Sequence, residues 1–245
     1  MNILGIDSSG LVASVAVVRD GILLGEYTVD YKKTHSQTLL PMLDALMQML
    51  EMKPEDLDAI AVAAGPGSFT GLRIGSATAK GIAMAIDRPI VPVPTTAGIA
   101  FGLYGASGDI VPLMDARRHQ TYTGIYRFTK QPGSEELLFE TVLEPCAVML
   151  EELIGRVNEN NRPVVFAGDG IPVFADDIRK LCRVDFSFAP EHQSRQRAGS
   201  VAALGARLFA QGVAETAAEH RPVYLRLSQA ERERLAEEKK KGTIE

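Results

Sequence analysis

The chain has 245 residues, of which 46% are hydrophobic, and 26 Lys and Arg against 31 Asp and Glu give a formal net charge of -5 at pH 7. This length suits one large domain or two small ones that share a boundary. Direct binding to nucleic acid needs clustered basic side chains on the phosphates, and the only basic run is residues 239–241. The composition therefore argues against a protein that binds RNA directly by itself.

Targeting and redox signals are equally sparse. The opening sequence MNILGIDSSG has neither a basic segment nor a long apolar run, so no signal peptide is predicted. No stretch of about 18 apolar residues is available for a membrane span. Cys146 and Cys182 lie far apart and fit neither a zinc site nor a CxxC motif. We expect a cytoplasmic protein with reduced thiols and no membrane partner.

The first part of the chain predicts three antiparallel strands followed by alternating helices and strands. Asp20-Gly21 favours a tight hairpin turn, because glycine readily takes the positive φ that such a turn requires. Thr34 suits the N-cap of a long helix. The predicted strands are residues 2–7, 11–18, 22–29, 59–64 and 90–93, and the predicted helices are residues 34–51, 65–86 and 95–103.

A glycine-rich stretch at residues 102–108 predicts a domain boundary, after which the same order of elements returns in reduced form. The predicted strands there are residues 109–115, 121–128, 137–142 and 164–167, and the predicted helices are residues 145–157, 171–182 and 199–211. We therefore predict a first lobe at 1–103, a second lobe at 104–228 and a charged tail at 229–245. Helix 199–211 is a candidate to pack back on the first lobe.

Three strands, helix, strand, helix, strand is the order of a ribonuclease H-like lobe. Two such lobes make the actin-like (ASKHA) α/β fold, each with a mixed sheet, which holds ATP in the cleft between them. This step rests on element order alone and does not fix the function.

Nucleotide signals are present but incomplete. Asp7 at the end of the first strand suits Mg²⁺ and phosphate in actin-like kinases, although an Asx-turn explains it as well. The string GPGSFTG at 65–71 precedes a helix and lacks the lysine of a Walker A loop. Asp115 is followed by Ala-Arg-Arg-His, with no glycine to approach a phosphate. The candidate residues of this degenerate nucleotide or anion site are Asp7, Ser8, Gly65, Gly67, Ser68, Gly168 and Gly170.

The string GPGSFTGLRIG at 65–75 resembles the signature of the TsaB (YeaZ) family, and similar matches extend over most of the chain up to Arg226. They are ILGIDSS at 3–9, THSQTLLPML at 34–43, DARRHQTYTGIY at 115–126 and PVYLR at 222–226. The resemblance implies an actin-like fold and a homodimer when the chain is alone. It also implies a heterodimer with TsaD, the paralogue that transfers the threonylcarbamoyl group to adenosine 37 of tRNA, and an assembly with the ATPase TsaE.

The family comparison also bears on metal binding. TsaD carries an N-H-x-E-G-H string whose two histidines share a helix face and hold a metal ion. Thr95 and Ile99 stand at the matching positions here, and an isoleucine cannot ligate a metal. The four histidines of the chain, His35, His119, His192 and His220, are scattered. We expect no metal, no catalytic residue and no cofactor in the isolated chain, with ATP or ADP a candidate ligand only at the interface of the complex.

The candidate partner interface lies on the two helices around the signature. Gly71, Gly75, Ala79 and Ala83 recur every four residues and form a ridge that a second helix could approach closely. Packing of this ridge on the protein's own sheet is the alternative. The full predicted interface is Leu39, Met42, Leu46, Met49, Phe69, Thr70, Gly71, Arg73, Gly75, Ala79 and Ala83.

Three functions remain to be compared. The first is a non-catalytic partner that binds and activates TsaD and meets tRNA only indirectly. The second is an actin-like ATP-dependent phosphotransferase, which would need a second glycine loop at Asp115. The third is a metallopeptidase, which would need clustered metal ligands.

Overall fold

A computed structural model describes residues 1–31, 34–133 and 136–226 and shows a two-lobed α/β protein with one mixed sheet in each lobe. The charged tail predicted at 229–245 lies outside the described residues. The boundary predicted between residues 103 and 104 falls between the last strand of the first sheet and the first strand of the second. It stays a prediction that the two lobes are separate domains.

The first sheet has the strand order of a ribonuclease H-like lobe. Its strands are β1 (Asn2–Asp7), β2 (Ala13–Arg19), β3 (Ile22–Val29), β4 (Ala59–Gly65) and β5 (Ile90–Pro94), in the order β3-β2-β1-β4-β5. The first three strands are antiparallel, and β4 and β5 are parallel to β1. Asp20 and Gly21 have φ of 48° and 82°, which confirms the predicted hairpin turn.

Helices cover both faces of this sheet. The helices of the first half are α1 (His35–Met49), α2 (Phe69–Ile86) and α3 (Thr95–Phe101), with a 3₁₀ turn at Pro54–Asp56. α1 and α2 pack on one face, where Leu4, Ile6 and Val62 meet buried leucines of α1 and alanines of α2. Burial of a continuous apolar layer on this face stabilises the lobe.

The second sheet combines a long antiparallel hairpin with parallel strands. Its strands are β6 (Asp109–Pro112), β7 (Met114–Asp115), β8 (Gln120–Lys130), β9 (Leu137–Met149), β10 (Val164–Ala167) and β11 (Phe186–Phe188). The order is β11-β10-β6-β8-β7, with β9 paired to β8. The remaining helices are α4 (Leu150–Asn160), α5 (Ile171–Leu181) and α6 (Ala198–Ala210). α4 and α5 cover one face of this sheet around Phe166 and Phe174.

α6 belongs spatially to the first lobe although it follows the second in sequence. Val201, Ala202 and Leu204 pack with Ala61 and Val93 on the face of the first sheet opposite α1 and α2. A β-carbon on Gly5 would collide with the carbonyl oxygen of Ala198, so the absence of a side chain at that position lets the helix approach the strand closely. The first lobe is therefore a helix–sheet–helix sandwich.

One sequence prediction in the second lobe was wrong, and one strand was not predicted. Residues 145–149 continue β9, and the helix predicted from residue 145 begins at Leu150. Pro145 lies at a register shift opposite Gly124, on a strand that pairs with β8 alone among the described strands, and a missing N–H is tolerated there. The short edge strand β11 was not predicted at all. No helix among the described residues combines the length and apolarity that a membrane crossing requires.

Candidate functional site

A cleft of about 570 Å³ lies between the two lobes and collects residues from both. Its first-lobe side comes from the turn after β1 and the start of α2, and its second-lobe side from the β7–β8 hairpin and the start of α5. Its lining residues include Gly10, Gly67, Ser68, Asp115, Arg117 and Asp169. Of the predicted anion-site residues, only Gly67 and Ser68 reach the cleft wall.

Asp7 lies beneath the cleft rather than in it. Its Oδ1 accepts hydrogen bonds from the backbone N–H of Ser9 at 2.9 Å and from the Ser9 hydroxyl at 2.6 Å. This is the Asx-turn alternative considered from the sequence. Burial raises the pKa of Asp7 to about 6, against the opposing effect of the Ser9 hydrogen bonds. The structure thus provides a local structural role for this carboxyl.

The signature glycines are packed against this chain's own backbone. A β-carbon on Gly67 would collide with the carbonyl oxygen of Ser9, and one on Gly71 with the carbonyl oxygen of Ser8. At Gly75 a β-carbon would lie 2.5 Å from Oγ of Ser8. Ser68 caps α2, since its side chain accepts from the N–H of Gly71 at 3.3 Å. Close approach of the turn after β1 therefore accounts for these glycines without a ligand.

The β7–β8 hairpin replaces the phosphate loop expected of an actin-like kinase. Residues 117–119 are non-glycine residues with φ between 59° and 65°, a strained conformation for side-chain-bearing residues. The carboxylate of Asp115 accepts from the N–H of Arg117 at 2.7 Å and pairs with its guanidinium at 3.1 Å. The carboxylate is thus engaged locally, and Arg117 lies on the cleft wall.

The turn at residues 168–170 is likewise packed internally. Gly168 has a φ of 102°, and its N–H donates to Oγ of Ser194 at 3.0 Å. The N–H of Gly170 donates to the carbonyl oxygen of Leu113 at 2.9 Å. These bonds describe an ordinary strand-to-helix turn at the predicted anion-site residues Gly168 and Gly170.

Asp169, between these glycines, was missed by the sequence analysis. Its Oδ2 accepts from the amide of Gln196 at 3.4 Å, and burial raises its pKa. Gln196 itself is buried, and both side chains lie beside Gly10. A single carboxylate in a glycine-flanked turn gave no sequence signal of burial.

The segment after α6 also reaches the cleft and was not predicted to do so. Val223, Tyr224 and Arg226 line it, and the ring of Tyr224 packs on Phe69 with centroids 4.9 Å apart. The guanidinium of Arg73 lies 5.2 Å from the centroid of the Phe69 ring. In the sequence these residues belong to the string PVYLR, which indicated only a family resemblance. Its tyrosine and arginine were the available signal that the segment reaches the cleft.

The predicted helical ridge faces the interior of this chain. Gly71, Gly75, Ala79 and Ala83 are buried against the protein's own sheet, as the alternative from the sequence proposed. Leu39 and Leu46 of α1 are buried in the same layer. These six residues are already covered within one chain, as the packing alternative expects, and their part in a partner interface stays a prediction. A small-residue stripe packs equally well on a sheet or on another helix, and the sequence does not distinguish the two.

The outer faces of the same two helices are apolar and exposed. Met49 and Leu40 of α1 are 76% and 55% exposed, and Met84 of α2 is 73% exposed. Phe69, Thr70 and Arg73 of the predicted interface are exposed at the start of α2, and Met42 is half-buried. The apolar arc of α1 is thus wider than its contact with the core. We refer to Met49 and Met84 below as the outer helix face.

The residues aligned with the metal ligands of TsaD lie in the interior. Thr95 and Ile99 are buried on α3, and Ile99 packs with Met114, Ala167 and Ala189. Within residues 1–31, 34–133 and 136–226, no three His, Cys, Asp or Glu side chains are grouped as metal ligands would be. The absence of a metal in the protein stays a prediction.

Known proteins match this chain along most of its length. TsaB of Bacillus subtilis, a tRNA threonylcarbamoyladenosine biosynthesis protein, is 34% identical over 94% of this chain and 96% of its own length. The chain belongs to the TsaB family. Escherichia coli TsaB is 33% identical over 52% of this chain and 55% of its own length. A family model described as TsaD, tRNA N6-adenosine threonylcarbamoyltransferase, matches residues 24–234.

Solved structures agree with the family. YeaZ from Pseudomonas aeruginosa is 26% identical with a TM-score of 0.70, covering 91% of this chain and 99% of that one. A second Pseudomonas aeruginosa structure, described as an uncharacterised protein similar to the peptidase YeaZ, gives 25% identity and a TM-score of 0.74. Its match covers 92% of this chain and 99% of that one. Membership of the TsaB (YeaZ) family and the two-lobed actin-like fold are thus confirmed.

Proposed function

We propose that this chain is a non-catalytic subunit of tRNA threonylcarbamoyladenosine biosynthesis, which binds TsaD and activates it for transfer to adenosine 37. The relatives in Bacillus subtilis and Escherichia coli carry the name of this pathway. The observation that carries the role of partner protein is the outer helix face, with methionines on two adjacent helices more than 70% exposed. Exposed apolar surface of this kind typically marks a binding surface for another protein.

The charges of α2 support docking at this face. Arg73 and Lys80 are the only charged residues in the helix. Lys80 donates to the carbonyl oxygen of His220 at 3.1 Å, which directs it toward the protein's own chain. The outward side of α2 therefore presents alanines, Gly81 and Met84. Depletion of charge and enrichment of methionine are features of interface cores.

The cleft supports the non-catalytic part of the proposal. Its glycines are required by contacts within the chain, and the Asp115 hairpin carries three arginine and histidine side chains where a kinase has glycines. A polyphosphate needs closely approaching backbone N–H groups, and this hairpin offers bulky side chains instead. We propose no cofactor for the isolated chain and place any ATP or ADP at the interface of the complex.

Substitution of the outer helix face tests the proposal. Met84→Glu and Met49→Glu place a carboxylate in the proposed interface while leaving the buried layer of each helix intact. We expect both variants to lose the homodimer in light scattering and to lose co-purification with TsaD from the same organism. Threonylcarbamoylation of tRNA by the mixture should fall in parallel.

Val142→Glu is the matched control, because Val142 is 41% exposed on β9 in the second lobe. It makes the same apolar-to-acid change away from the proposed interface and should leave both assemblies intact. Full binding of TsaD by Met49→Glu and Met84→Glu would refute this docking face. Turnover of ATP by the pure chain with Mg²⁺ would instead refute the non-catalytic role. TsaE, the remaining expected partner, is proposed to join through the complex.

A further inference from the structure

The segment that follows α6 has little regular structure but is anchored along the first lobe. Glu215 pairs with Ile90 at the edge of β5, with both backbone hydrogen bonds at 2.8 Å. His220 is fully buried, and its Nδ1 lies 3.0 Å from a carboxylate oxygen of Glu215. Lys80 of α2 holds the carbonyl oxygen of His220. These contacts fix where the following residues leave the first lobe.

Residues 220–226, the C-terminal strap, then cross the signature loop. The N–H of Val223 donates to the carbonyl oxygen of Ala64 at 2.7 Å. The carbonyl oxygen of Val223 occupies the space that a β-carbon on Gly65 would need, and Gly65 has a φ of 125°. Gly65 therefore lets the strap lie directly on the loop. The first glycine of the signature is thus required by the packing of this protein's own strap.

The strap ends on the other lobe. Its Tyr224 packs on Phe69 of the first lobe, whereas the guanidinium of Arg226 donates to the carbonyl oxygen of Ala116 in the β7–β8 hairpin. The Arg226 bond links the strap to the β7–β8 hairpin of the second sheet. The strap thus joins the two lobes, and its residues 223–226 form part of the cleft wall.

A second contact between the lobes is buried. Thr96 of α3 and Tyr126 of β8 share a hydrogen bond of 2.7 Å between their buried hydroxyls. Ile99 packs on Met114, which also contributes to the cleft wall. A buried apolar contact with an internal hydrogen bond is stiff, whereas a part-buried bond from a segment without regular structure opens more readily.

We propose that the C-terminal strap is an interlobe clamp: α3 and Tyr126 form the hinge, and Arg226 on the Ala116 carbonyl sets how far the cleft opens. The strap couples the signature loop to the β7–β8 hairpin, so that release at either end loosens both. Closure is then governed by the chain itself rather than by a ligand between the lobes. This inference does not depend on TsaD binding.

Hydrogen exchange of the full chain, followed by mass spectrometry, tests the clamp. Arg226→Ala removes the link to the second lobe, and Tyr224→Ala removes the contact with Phe69. In each variant we expect faster exchange in two segments, residues 62–70 and 114–122. Loss of one net hydrogen bond of about 1 kcal/mol corresponds to about fivefold more opening.

Arg221→Ala is the matched control, because the hydrogen bonds of the Arg221 guanidinium among the described residues go to the carbonyl oxygens of Ala218 and His220, within the same segment. It should leave both test segments unchanged. Unchanged exchange in both segments of Arg226→Ala and Tyr224→Ala would overturn the clamp. So would an equal acceleration in Arg221→Ala. The Tyr224 variant decides the question if Arg226→Ala does not fold.

Discussion

The hydroxyl of Ser8 donates a 2.9 Å hydrogen bond to the carbonyl oxygen of Gly71, while the carbonyl oxygen of Ser8 fills the space that a β-carbon on Gly71 would need. The turn after β1 and the first turn of α2 are therefore in direct backbone contact. This contact fixes the entry of α2 onto the sheet and the position of Ser68 and Phe69 at the cleft.

Gly71→Ala should consequently destabilise the monomer. Inserting a methyl group against a backbone carbonyl forces the helix away from the turn, at a cost of about 1–3 kcal/mol. Gly81→Ala is the matched change, since Gly81 has open space around it on the same helix. It should stabilise the fold by about 0.5–1 kcal/mol through helix propensity. Urea denaturation measures both, and equal effects would show that Gly71 is not constrained by Ser8.

Asp7→Asn should raise stability above neutral pH. Burial raises the pKa of Asp7 from 3.8 to about 6, so the folded state holds the proton more tightly than the unfolded state. The resulting stabilisation is complete below pH 3.8 and is lost as the pH rises through 6. Asn imitates the protonated form and still accepts from Ser9. At pH 8 we expect it to gain about 1–3 kcal/mol over the parent, and the gain should disappear near pH 4 in thermal melts.

Glu26→Gln should weaken the attachment of α6. The buried Glu26 carboxylate accepts from the N–H of Gly199 at 2.9 Å and pairs with Arg197 at the start of the helix. Loss of this charge should cost about 2 kcal/mol, because charge-assisted bonds at a helix N-terminus are strong. Glu152→Gln breaks an exposed pair with Arg156 and should change stability by less than about 0.5 kcal/mol. Similar losses in both variants would contradict the assignment of Glu26 as the cap of α6.

The buried His220 should make the fold sensitive to acid. Burial lowers the pKa of its imidazole below the ordinary value of 6.5, against the opposing effect of Glu215. The folded state therefore prefers the neutral ring, and the stabilisation is complete above pH 6.5 and lost as the pH falls through the lowered pKa. His220→Gln should destabilise the parent at pH 8, with a difference that shrinks toward pH 5. His192→Gln, at an exposed position, should follow the parent curve throughout.

The sequence was most informative where a local pattern has one structural meaning. Asp20-Gly21 predicted a hairpin, and the apolar runs of the first lobe predicted the order of its strands and helices. Both signals are local, because turn geometry and apolar patterning act over a few residues. The ridge of small residues that contains Gly75 was ambiguous, because small side chains allow close packing on either a sheet or another helix. The strand role of residues 145–149 depended on a bulge opposite Gly124, which only tertiary pairing creates. The approach of Tyr224 to Phe69 likewise joins residues distant in sequence, and no local pattern encodes it.

Because α6 covers one face of the first sheet, the first lobe cannot complete its core until residues 198–210 have been synthesised. In a nascent chain that ends after β5, the face of the first sheet that carries Ala61 and Val93 is not yet covered by α6. Pairing across such a sequence distance is slow and leaves apolar surface uncovered in the meantime. The second lobe is made entirely within this interval. Folding of the first lobe is therefore expected to finish last, although its strands emerge from the ribosome first.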